Sequence, residues 1–184
     1  MVWGLVVLGV VVVLGGWLVV TYNRLVGLRN QAESAWADID VQLTRRHDLI
    51  PNLVETVKGY AAHERETLEA VIAARNGAVA ASSPGEQARA EGALTGALRQ
   101  LFAVAEAYPD LKADQNFREL QQELTATEDR IASSRNRYNA TVQAYDTARE
   151  VFPANLVVNL FGFTEREYFE VDDPEARGPV EVQF

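Results

Sequence analysis

The chain has 184 residues, 48% of them hydrophobic, with 26 acidic side chains against 17 basic ones, a formal charge of -9 and no cysteine. That balance argues against a nucleic-acid partner, because phosphate neutralisation needs clustered Lys and Arg. The missing cysteines remove disulfides, thiolate nucleophiles and cysteine-based metal centres.

From Val2 to Val20 the sequence runs 19 residues without a charge, amide or hydroxyl. At ~1.5 Å per residue such a helix spans about 28 Å, close to the ~30 Å hydrocarbon core of a bilayer. Trp3 marks one membrane interface, and Trp17 with Tyr22 the other. A cleaved signal peptide is disfavoured, since nothing basic precedes Val2 and no small-x-small cleavage site follows. A core helix is disfavoured because the run is apolar all round. Arg24 and Arg29 flank the far side, which favours a cytoplasmic C-terminal domain and a short N-terminus outside. Gly4, Gly9, Gly15 and Gly16 do not form the GxxxG spacing of a dimerising face.

Beyond the span, Leu25, Leu28, Ala32, Trp36, Ile39 and Leu43 recur at helical spacing, so the anchor is expected to run on into a bundle helix, with Gly27 as its one weak point. Asp48 to Pro51 reads as a helix restart with a hairpin at residues 46 to 48, favoured because a four-helix bundle needs antiparallel neighbours. One long kinked helix is the competing reading, because Ile50, Leu53, Val57 and Tyr60 keep the register. The following helix fades between Gly77 and Ser82. Ser83-Pro84-Gly85-Glu86 has the form of a capping box, and the helix it opens carries Leu94, Leu98, Leu101, Phe102 and Ala105. Tyr108-Pro109 opens a loop and Asp114 caps the last helix. Its heptad-like seam reads Phe117, Leu120, Leu124, Thr127, Ile131, Ser134, Tyr138, Val142 and Tyr145.

These elements predict an all-α fold: a transmembrane helix continuing into an antiparallel up-down four-helix bundle, with a short apolar and acidic tail. The boundaries are an anchor at residues 1–21, the bundle at 22–150 and the tail at 151–184. In the tail Phe152, Leu156, Leu160, Phe161 and Phe163 form a candidate interaction patch, expected to dock on the bundle or on another copy. Direct lipid binding is the weakest option for lack of a basic face. Residues 164–184 carry seven acids against two arginines and are expected to be loosely ordered.

No catalytic, metal-binding or cofactor-binding residue is expected. His47 and His63 belong to no HExxH, and there is no GxSxG, Walker loop or dinucleotide fingerprint. His47 reads as a helix-end residue. Glu119, Glu123 and Glu128 lack the Glu-x-x-His pairs of di-iron bundles.

Ala35-Trp36-Ala37-Asp38-Ile39-Asp40-Val41-Gln42-Leu43, then Arg45 to Val54 and Val57-Lys58-Gly59-Tyr60, resemble the LemA family. The likeness continues through Tyr108 to Lys112, Asn116-Phe117, Thr127-Glu128, Arg135, Tyr138-Asn139 and Phe152-Pro153. Asp114, Asp146 and Val158-Asn159 depart from the pattern. The resemblance implies an N-terminal membrane helix, a helical bundle and a bacterial envelope setting, with no established enzymatic activity. A magnetosome protein of magnetic bacteria belongs to the same family, which implies membrane organisation. The expected function is a non-enzymatic scaffold or adaptor in the plasma membrane. It would associate with itself or an unidentified envelope protein through the α-helical seam and the tail patch, with no small-molecule substrate. The alternative is an accessory subunit of a membrane enzyme such as a protease.

Overall fold

The computed structural model describes residues 2–170, and all regular structure among them is helical. Six helices follow in order: α1 (Val2–Tyr60), α2 (Arg65–Ala80), α3 (Pro84–Ala105), α4 (Pro109–Ala113), α5 (Gln115–Glu150) and α6 (Ala154–Phe161). The described residues divide into two compact units, 2–38 with 136–166, and 39–135 with 167–170.

α1 is one helix of 59 residues, unbroken at Gly27, so no linker follows the apolar run. It also corrects the hairpin expected at residues 46–48, because the helix continues through Pro51. An interior proline costs ~3 kcal/mol or more, partly because it withholds the N–H that the carbonyl four residues earlier would accept. That carbonyl is His47's, and Arg75 of α2 donates Nε–H to it at 2.9 Å. Pro51 itself is exposed, so its ring meets no core packing. The chain turns instead at residues 61–64, where Tyr108 Oη donates to Glu64 at 2.9 Å.

In the first unit Leu25, Ala32 and Ala35 of α1 are buried, as are Tyr138, Val142, Tyr145 and Ala148 of α5. Trp36 meets Tyr138 with ring centroids 5.2 Å apart, and Arg137 pairs with Asp38 at 3.3 Å. α6 stops at Gly162, whose φ of 70° lies in the left-handed region that glycine enters without strain.

The second unit holds a core to which α1, α2, α3, α4 and α5 all contribute. Leu53 and Val57, Val71, Leu94 and Leu101, Leu111 and Phe117 meet there. Large aliphatic side chains at three- and four-residue steps place one stripe of each helix in that core. The seam of α5 is consumed inside the chain, with Phe117, Leu124, Ile131, Tyr138, Val142 and Tyr145 all buried. It is therefore not a surface open to another copy.

The caps follow the sequence with one change. Ser83 Oγ accepts from Glu86 N at 3.3 Å, and Asp114 Oδ1 accepts from Phe117 N at 2.9 Å. The Glu86 carboxylate, however, takes the amide and hydroxyl of Ser82, at 3.0 and 2.7 Å, in place of the Ser83 amide. The acidic end is also better tied than expected as far as it is described. Thr164 O accepts from Tyr145 Oη, Arg166 pairs with Glu33, Glu167 accepts from Gly85 N, and Phe169 is fully buried. The remainder of that segment, residues 171–184, lies outside the described residues.

Candidate functional site

Of the residues assigned to the membrane interfaces, Trp17 and Tyr22 meet the tail patch in the first unit. Trp3 stands exposed near the start of α1, and Arg24 is exposed beyond the apolar run. Tyr22 receives two aromatic edges, its ring centroid lying 4.9 Å from Phe161 and 5.6 Å from Phe163. Trp17 and Leu18 pack against a buried cluster of Leu25, Tyr145, Ala148, Val157, Val158 and Phe163. The patch is therefore divided. Phe163 is buried, with the Arg29 guanidinium 6.0 Å from its ring centroid, while Phe152, Leu156, Leu160 and Phe161 face outward. Tyr145 anchors the connection after α6 by donating Oη–H to Thr164 O at 2.9 Å, and burial pushes its phenol up from the usual 10.0.

The second unit holds a polar cluster that the sequence reading missed. His47 is not at a helix end; it lies within α1 and is buried, because the expected hairpin beside it does not form. Its Nε2 lies 2.6 Å from Glu91 Oε1, which also accepts from Gln87 Nε2 at 3.0 Å. Arg46 donates to Glu91 Oε2 at 2.9 Å and to Thr95 Oγ1 at 2.8 Å, and pairs with the half-exposed Glu128 at 3.1 Å. Gln87 also donates to Ala78 O at 3.1 Å, covering a carbonyl in the last turn of α2. Both oxygens of the Glu91 carboxylate are thus occupied, as a buried charge requires. One signal was available: Glu91 stands in step with Leu94, Leu98, Leu101 and Ala105, an acid inside an apolar stripe.

Arg46, His47, Gln87 and Glu91 are all buried, and the Glu91 carboxylate joins the other three. The cluster ties α1 to α3 through the Arg46–Glu91 and His47–Glu91 contacts. Among the described residues, no group of three or more His, Cys, Asp or Glu side chains could share a metal ion.

An N-terminal helix long and apolar enough to cross a membrane, continuous with a helix of a packed helical core, defines an all-α protein of membrane-associated type. More specifically, the chain belongs to the LemA family, whose family model matches residues 35–184. It is similar to the magnetosome protein MamQ of Magnetospirillum gryphiswaldense, 26% identical over 189 aligned positions that cover 89% of this chain and 69% of that protein. MamQ 1 of Paramagnetospirillum magneticum is 27% identical with the same coverage. Protein LemA of Metamycoplasma hominis is 28% identical over 167 positions, covering 84% of this chain and 75% of that protein.

Proposed function

We propose that the chain is a non-enzymatic adaptor or scaffold of the bacterial plasma membrane. A single N-terminal span holds it, with the short N-terminus outside and the helical bundle in the cytoplasm. The observation that carries this reading is that α1 is one helix from the apolar run to Tyr60. Similarity to magnetosome proteins supports a membrane setting. Since the α5 seam is buried within the chain, contacts with other copies or envelope proteins fall to the outward polar faces of the helices.

The test is the mass of the full chain in lipid nanodiscs, measured by light scattering against the 20.3 kDa of one chain. A defined multiple of that mass supports a self-associating scaffold. A monomer would remove self-association and leave the adaptor role, and stoichiometric recovery of a membrane enzyme with the chain would replace the scaffold by an accessory subunit.

A further inference from the structure

α6 has two faces with different surroundings. Val157 and Val158 are buried on the first unit together with Phe163. The other face carries Leu156 and Leu160, 58% and 70% exposed, with Phe161 at its edge and 48% exposed, and Phe152, 79% exposed, stands just before the helix. No charged residue occurs from Val151 to Thr164. Large exposed apolar side chains on an uncharged segment call for a cover.

The position of α6 says what that cover is. Tyr22 touches Phe161 and Phe163, and Trp17 and Leu18 pack on the cluster that holds Val157 and Val158. Residues 17 to 22 end the apolar run, and their aromatic rings are of the kind that settles where hydrocarbon gives way to headgroups. α6 is thus held beside the point where α1 leaves the bilayer. An amphipathic helix there sinks its apolar face ~5–10 Å into the acyl boundary.

We infer that α6 is an interfacial membrane helix, whose Leu156, Leu160 and Phe161 enter the lipid of the same bilayer that α1 crosses, together with Phe152 just before it. This rests on the reading of α1 as a membrane span. The absence of a basic face, which makes lipid binding implausible for a free helix of this composition, loses its force here. A segment already fixed to a membrane anchor needs no electrostatic attraction to reach the surface, because its encounter with lipid is intramolecular. The free amphipathic helix and the tethered one differ in that association cost, not in the apolar contact they make.

The chain has no cysteine, so single positions can be labelled without background. Full-length Leu160→Cys, carrying an environment-sensitive fluorophore, is reconstituted in phosphatidylcholine–phosphatidylglycerol vesicles whose acyl chains are brominated either near the headgroup or near the chain end. Val10→Cys serves as the reference within the span and Ala107→Cys as the aqueous one. The expected result at Leu160 is a blue-shifted emission that loses more intensity to shallow bromines than to deep ones, while Val10 shows the reverse order and Ala107 neither effect. Water-like emission at Leu160 with Val10 still quenched overturns the inference and leaves the span intact. Blue-shifted but unquenched emission at Leu160 means protein covers the face and also overturns it. Loss of quenching at Val10 overturns the span itself, and the inference with it.

Discussion

Arg75→Ala tests why α1 survives its proline. The substitution removes the donor to the His47 carbonyl, which Pro51 leaves without its helical N–H. Losing a hydrogen bond from a charged donor and leaving the acceptor unpaired costs about 1–3 kcal/mol. Arg75 is only half-buried, so water can partly replace it and the lower half of that range is expected. For a chain of this size each kcal/mol lowers the unfolding temperature by roughly 2–4 °C. The informative measurement is the double-mutant cycle with Pro51→Ala, followed by far-UV circular dichroism of the full chain in detergent micelles. Pro51 is exposed, so alanine leaves no cavity, and it returns an N–H to the carbonyl while relieving the ring clash. In the Pro51→Ala background, Arg75→Ala should cost well under ~1 kcal/mol, giving a coupling of about 1 kcal/mol between two residues on different helices. Equal costs in the two backgrounds would refute the reasoning, and would move Arg75's contribution to its contact with Asn76 at 3.3 Å.

Glu91→Ala leaves Arg46 buried and without its principal partner, so a loss of about 3–5 kcal/mol is expected in the denaturant midpoint. Glu91→Gln should lose less, because the amide still accepts from one of its three neighbours. Acid should weaken the caps. Donation from the Phe117 amide, reinforced by Tyr60 Oη, holds Asp114 below its ordinary 3.8, and the hydroxyl and amide of Ser82 hold Glu86 below 4.5. Folded values below the unfolded ones mean that this stability is present above about pH 4.5 and is lost as the pH falls through the folded-state values. Asp114→Asn should therefore flatten the acid limb of a stability titration relative to the native chain. Phe163→Ala empties a buried position under α6 and should cost ~3–5 kcal/mol locally, read as faster proteolysis between Phe152 and Phe163 with the second unit still resistant.

Local signals carried much of this fold. The apolar stripes of α1, α3 and α5 coincide with their buried faces, and Ser83 and Asp114 cap the helices that their side-chain chemistry suits. Pro51 misled because its effect is decided elsewhere: the donor that rescues the helix sits on α2, and no pattern around the proline announces it. The misplacement of His47 follows from the same cause, since a residue beside a supposed hairpin belongs at a helix end. Glu91 was visible as an acid in an apolar register, but its partners Arg46 and His47 come from another helix, and such pairing has no signature at fixed spacing. For the tail, composition revealed the apolar patch without its surroundings. That Phe161 and Phe163 lie on Tyr22 is a tertiary fact that no spacing in the sequence announces.

In the proposed topology α1 crosses the membrane once and presents the helical core on the cytoplasmic side. Single cysteines at Val2, Val10 and Ala107, probed with a membrane-impermeant maleimide in intact and then permeabilised cells, test it directly. A single crossing with the core inside gives labelling at Val2 from outside, none at Val10 in either state, and labelling at Ala107 only after permeabilisation. Reaction at Ala107 in intact cells would contradict the orientation, and reaction at Val10 would contradict the span.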